Sequence, residues 1–205
     1  MNVGNSVRKS IDDWESSEHE SAILHACNAI DGTAKKVYQK DLGVKARFTK
    51  LLRDNYSILG PMGIPGINLM ETRFPVTVGP KASDGAPDIA DVIYGIHRCS
   101  HGHGDELPEG FELIHNAAGP SRRTRMEVVK GAVRLSDRVI FGLIAVAVLS
   151  PANKGQSVPD GYYLTFGDEA KLVINDWWGR ASDFPAVVAR DPIPLVKLDF
   201  GDWMP

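Results

Sequence analysis

The sequence predicts a mainly α-helical domain with small β-hairpin additions in its C-terminal half, α+β overall. Three observations carry this. Up to residue 98, apolar positions recur at helical spacing in three separate runs. After residue 106 the chain changes to short β-rich segments divided by turn residues. Within that second half, the apolar stretch Val139 to Leu149 follows an N-cap signal at Ser136-Asp137.

The first run covers residues 11–40. Ile23, Ala26, Cys27, Ile30, Ala34 and Val37 form one apolar stripe, and Gly32 is expected to weaken or kink the helix. His25, Asn28 and Lys35 lie on another face, with Asp31 beside it. The second run, 44–59, turns Phe48, Leu51, Leu52, Tyr56 and Leu59 inward, and Gly60-Pro61 is expected to stop it. Five prolines and five glycines mark 60–87 as a long loop with a short strand at Arg73–Val78. Asp88 then caps a third helix whose buried stripe is Ile89, Val92, Ile93 and Ile96. That helix delivers Arg98 and ends at Gly102 and Gly104.

In the second half, Phe111–Ile114 and Met126–Leu135 read as short strands around a Gly-Pro-Ser-Arg-Arg turn. The helix Arg138–Leu149 follows and is closed by Pro151 and Asn153. Tyr162–Phe166 and Lys171–Ile174 form a hairpin across Gly167-Asp168. Ala181–Ala189 reads as a last helix and Leu195–Phe200 as a last strand. Trp177, Trp178 and Trp203 are placed as core or interface anchors. Residues 1–106 form the helical core, and 107–205 add hairpins and the apolar helix to the same domain.

A chain of 205 residues buries a large enough core to fold without staples. Its net charge of −3 gives no bulk electrostatic grip on nucleic acid, although Lys and Arg crowd residues 35–53 and Arg122, Arg123 and Arg125 cluster in a turn. Cys27 and Cys99 lack CxxC neighbours and read as buried free thiols. The N-terminus has no apolar signal region, and Val139–Leu149 is too short to span a bilayer, so a cytoplasmic protein without a membrane partner is expected.

The stretch from Asp91 to Asp105 concentrates the chemistry. It holds Arg98 and three histidines, His97, His101 and His103. Cutting RNA by internal attack needs a base for the 2′-OH and a cation for the phosphorane. Histidine titrates near neutrality, and arginine presents a planar fork that matches phosphate oxygens. In a straight helix Arg98 and His103 would not share a face, so a break at Gly102 must swing His103 back.

Tyr94-Gly-Ile-His-Arg98-Cys-Ser-His-Gly-His103, followed by Gly104, resembles the Arg-x4-His motif of the HEPN superfamily, and two amphipathic helices followed by the helix that carries the motif fit its pattern. The resemblance covers roughly residues 10–106. It implies a HEPN-like helical bundle that dimerises, with two Arg/His pairs facing one cleft. It further implies metal-independent endoribonuclease cleavage of RNA with no cofactor, in a toxin–antitoxin or phage-defence setting where an antitoxin protein is a further partner. Arg98 and His103 would be the catalytic pair. Cys99 departs from the polar residue common after the arginine, so Ser100 or His101 would have to supply that contact. Apart from the resemblance, Asp31 is placed to orient a histidine of the third helix if those helices pack together, and the turn with Arg122, Arg123 and Arg125 reads as a solvated loop or as a phosphate contact.

Two other readings stay open. A HEPN-like domain can serve as a non-catalytic dimerisation or nucleic-acid-binding module. His101-Gly-His103-Gly-Asp105 also fits the start of the HxHxDH motif of metallo-β-lactamase-like hydrolases, although Glu106 replaces its last histidine and only His115 remains downstream. His97 is expected to be a surface or loop histidine.

Overall fold

The computed structural model describes residues 2–38, 42–79, 85–100, 106–116, 124–167 and 170–204. These residues are mainly helical, with two antiparallel strand pairs. The first helix, α1 (Val3–Glu15), is capped by Asn2, whose side chain accepts the Asn5 N–H at 3.2 Å. It buries Val3, Val7 and Ile11 against α2 (His19–Val37). The expected single helix over 11–40 is therefore two. Ser17 takes a left-handed backbone (φ 64°), and Ser16 Oγ donates back to the Asp12 carbonyl at 2.9 Å, which ends α1 and folds it onto α2. Gly32 does not kink α2. Its missing Cβ lets α1 approach, since a Cβ there would lie 3.0 Å from Val3 Cγ2.

The 44–59 run is likewise divided at Asn55, into α3 (Val44–Asp54) and α4 (Tyr56–Gly63). Pro61 sits inside α4 rather than stopping it. The carbonyls left open at the end of α4 are taken by Arg138, whose Nε donates to the Met62 carbonyl at 2.9 Å and Nη2 to that of Pro61 at 3.3 Å. No strand forms at Arg73–Val78, because Pro75 lacks a donor and the Val76 N–H turns back to the Phe74 carbonyl at 2.9 Å. Phe74, Val76 and Val78 are nonetheless buried. Asp88 does cap α5 (Ile89–Val92), accepting the Asp91 N–H at 3.0 Å, and α5 runs on into a π-helical stretch, Ile93–Arg98.

The hairpin of β1 (Glu127–Val129) and β2 (Ala132–Arg134) pairs Glu127 with Arg134 across Gly131, whose φ is 88°. Phe111–Ile114 is not a strand. Only Ile114 bridges, in parallel, to Ser136, because the Phe111 N–H is spent in a turn onto the Pro108 carbonyl.

Helix α6 (Arg138–Leu149) starts where Ser136 Oγ accepts the Arg138 N–H at 3.1 Å. Apart from Arg138 and Phe141, all its residues are buried, against α4, α2 and α1. It crosses α4 at two glycines: a Cβ on Gly142 would stand 2.8 Å from Gly63 Cα. Beyond α6, Asn153 donates to the Ala147 carbonyl and to Thr33 Oγ1, both at 2.8 Å, and accepts from Lys36 Nζ at 2.9 Å, tying the end of α6 to α2.

The second hairpin joins β3 (Tyr163–Phe166) to β4 (Ala170–Val173) in the register Tyr163–Val173. α7 (Ile174–Trp177) and α8 (Phe184–Val188) follow. Leu195–Phe200 forms no strand. Val196 makes one parallel bridge to Ile67, and Pro194, beside it, cannot donate to a ladder. Trp178 is buried in the core as expected, whereas Trp203 is exposed and stacks on Phe200. No helix among the described residues is long and apolar enough to cross a membrane.

The α4–α6 crossing yields a stability prediction. Gly142→Val should cost about 2–3 kcal/mol, because the added atoms meet the Gly63 backbone as well as the Leu59 side chain, and the backbone cannot give way. Gly79→Ala, with open space around it, should stay within about 0.5 kcal/mol of the parent. Urea unfolding of both variants checks the pair, and equal costs would refute the crossing.

Candidate functional site: the Arg98 clamp

Tyr94 and Arg98 lie four residues apart on the π-helical stretch, so the phenol ring comes to rest beneath the guanidinium, 5.7 Å from its Cζ. Tyr94 is in turn fixed edge-on against Phe48 of α3, with ring centroids 5.3 Å apart. From α2, buried Asp31 completes the clamp: Arg98 Nε donates to its Oδ2 at 3.1 Å, and Nη2 stands 3.1 Å from the same oxygen. The Arg98 side chain keeps 26 % of its surface exposed. Burial alone would lower its pKa, but the charge and hydrogen bond of Asp31 outweigh this and hold it above its ordinary value.

Asp31 thus belongs to the candidate site, although it positions an arginine rather than a histidine. Ser100 is half-buried directly beyond the clamp. His103, His101 and Asp105 lie outside the described residues, with Gly102 and Gly104, as do Arg122 and Arg123; Arg125 is described and exposed. His97 corrects an expectation. It is fully buried, because it stands four and eight residues beyond Ile93 and Ile89 and so continues their inward row. Of the two thiols, Cys27 is fully buried, which pushes its pKa up, while Cys99 is only half-buried beside Arg98.

No local motif signals what anchors the start of this segment. Arg53 of α3 donates from Nε to Asp88 at 2.7 Å and from Nη2 to Asp91 at 2.7 Å, and Lys45 Nζ stands 3.6 Å from Asp91. Part of the basic run over 35–53 therefore faces the carboxylates that begin α5. Burial pushes Asp88 up, yet hydrogen bonds from Arg53, the Asp91 N–H and Tyr56 bring it below the usual carboxylate range. Asp91 is pushed up, by burial first and then by Asp88.

The model of the Rv1289 family matches residues 2–204. The chain belongs to that family. It is 43% identical to the uncharacterized proteins Rv1289 of Mycobacterium tuberculosis and Mb1320 of Mycobacterium bovis, over 100% of this chain and 98% of theirs. No solved structure matches it.

For this member of the family, the Arg53 anchor predicts a pH-dependent cost. Arg53→Met should lower stability by about 2 kcal/mol near neutral pH, a value discounted for the partial exposure of Arg53. Asp88, with its depressed native pKa, contributes stability that is present above the ordinary carboxylate value of about 4 and is lost as pH falls through the native value. Without Arg53 the two carboxylates repel until one is protonated. The cost of the substitution should therefore shrink on acidification below about pH 4. Urea titrations across that range check this, and a pH-independent cost would refute the assignment.

Proposed function

We propose that the chain is a HEPN-like, metal-independent endoribonuclease in which Arg98 holds the scissile phosphate and His103 handles the proton of the 2′-OH. The observation that supports this is the fixed guanidinium. Asp31 and Tyr94 hold Arg98 at the end of a π-helical stretch, five residues before His103 and still partly open to solvent. π-Turns strain a helix and recur at functional sites, where they re-aim a side chain. Asp31 takes the Nε edge of the fork, and arginine carries five N–H donors, so the guanidinium retains capacity for a phosphate oxygen. On this reading the protein acts as a homodimer on RNA in a toxin–antitoxin or phage-defence setting, with an antitoxin protein as partner.

The Asp31–Arg98 pair also favours a second reading. A buried carboxylate already offsets the arginine's charge, as it would in a purely structural pair, and the domain would then be a non-catalytic dimerisation or nucleic-acid-binding module.

Incubation of the pure protein with labelled single-stranded RNA in EDTA decides between them. The nuclease reading expects cuts that leave a 2′,3′-cyclic phosphate, with His103→Ala and Arg98→Ala each slowing cleavage by about 10²–10⁴-fold. Cleavage that survives His103→Ala, or a parent protein that never cuts, sinks it. Cleavage lost in EDTA and restored by zinc would instead indicate a metallohydrolase.

A further inference from the structure

A second group of side chains converges near the start of α2. His19 opens that helix, His115 follows the bridge at Ile114, and Asp137 precedes α6. One donor atom from each lies within 4.8 Å of the others. The two imidazoles do not hydrogen-bond. They lie face to face, with centroids 3.9 Å apart and planes tilted by 35°. His19 Nδ1 is buried and, among the described residues, has no hydrogen-bond partner. His115 Nδ1 points to Asp137 Oδ2 at 3.9 Å, too far for a hydrogen bond.

Asp137 is the buried member, its side chain 4% exposed. Its carboxylate is held from several sides: Oδ1 accepts the Asn116 N–H and the Ser136 hydroxyl, each at 3.2 Å, and Oδ2 accepts Trp14 Nε1 at 3.3 Å. These donors are neutral, and among the described residues no lysine or arginine pairs with it. Among the described residues, this buried carboxylate is oriented by neutral donors and faces two imidazoles, one of them with an unpartnered nitrogen, a donor set without a fixed positive charge. Such donors also match the outer shell that typically aims a metal-binding carboxylate.

We propose that His19, His115 and Asp137 bind one divalent transition metal of the zinc class per chain. Two imidazoles and a carboxylate are a borderline donor set that suits this ion, and three protein ligands leave a coordination position open. Bonds of about 2.0–2.2 Å place tetrahedral ligand atoms roughly 3.4 Å apart, so the cluster must tighten by about an ångström. His115, 60% exposed, is free to swing that far. The cluster borders a cleft of about 350 Å³, lined by Glu18, Glu20, Glu112 and Leu113 among others, which would admit water to the open position. The proposal does not rest on the nuclease reading. His19 and Asp31 are twelve residues apart on α2, which separates the cluster from the Arg98 clamp by about 18 Å along the helix.

The test uses the full chain, freed of metal by dialysis against a chelator. Zinc(II) is titrated in competition with a chromophoric indicator, and cobalt(II) binding is followed by visible absorption. One zinc per chain is expected, with cobalt bands typical of low-symmetry nitrogen and oxygen ligation. Zinc at a hundredfold excess over its Kd should raise Tm by roughly 5–10 °C. His115→Ala, at an exposed position, should melt like the metal-free parent, bind zinc about 100-fold more weakly or worse, and lose the thermal shift. His19→Ala should behave alike, and His115→Ala decides alone if that variant does not fold. His103→Ala should bind zinc as the parent does. Absence of zinc binding, binding that survives His115→Ala, or binding lost in His103→Ala overturns the proposal.

Discussion

The burial of α6 is the constraint on which the other elements depend. Its sequence, Val139-Ile-Phe-Gly-Leu-Ile-Ala-Val-Ala-Val-Leu149, is apolar all round, and such a helix is stable in water only when neighbours cover every side. α1, α2 and α4 supply that cover. Each large aliphatic side chain buried there is worth about 1.5–3 kcal/mol before conformational entropy is counted. The helix has no surface face on which to carry polar groups, so its polar contacts collect at its ends. At the start, Arg138 closes the open carbonyls of α4, and Asp137 gathers Trp14 and Asn116. At the far end, Asn153 binds α2 through Thr33 and Lys36. These anchors add to the Gly63–Gly142 crossing in fixing the rotation of α6, since its other sides are all apolar and hydrophobicity alone does not tell them apart.

α2 is the second structural reference, because both candidate centres draw a side chain from it. Asp31 meets Arg98 in its C-terminal half, and His19 meets His115 and Asp137 at its start. The Arg98 segment packs on α2 and takes that one carboxylate from it. It is otherwise positioned by α3, through Arg53 on Asp88 and Asp91 and through Phe48 on Tyr94. A π-helical stretch tolerates its poorer hydrogen-bond geometry only when its surroundings define it on several sides, and these contacts do so.

Much of this was legible in the sequence wherever one local rule decided the outcome. The stripe of α2, the Asp88 cap, the start of α6 and the hairpin from Tyr163 to Val173 each follow from periodicity or capping within a few residues. Other features were decided by distant partners. Pro61 reads as a helix stop until Arg138, 77 residues away, takes its carbonyl. Gly32 reads as a kink until Val3 is seen against it. Arg98 and Asp31 each stand out in the sequence, but their pairing spans 67 positions and no spacing rule predicts it. The three residues of the proposed metal centre come from three segments with no shared motif, and Asp137 carries a capping signal that hides any other role. His97 is a different case: it stands on the Ile89–Ile93 row, so its burial follows from periodicity even though its polarity points to a surface position.

Charge around the Arg98 clamp constrains how it could act. Arg98, Arg53 and Lys45 face Asp31, Asp88 and Asp91, three cations against three carboxylates. A patch so matched creates little field beyond its edge and would not draw in a polyanion from a distance. On the proposed reading, a phosphate reaching it would be held by directed hydrogen bonds from a pre-positioned fork, not by a basic surface. Short-range donors of this kind select geometry more than they raise affinity. Affinity for RNA would then have to come from more than one such clamp, which is what a dimer placing two copies of the motif in one cleft would provide. Asp31 weakens the pull of Arg98 on an anion while holding the guanidinium still, a balance that on the proposed reading would favour recognition of one phosphate position over loose attachment along a strand.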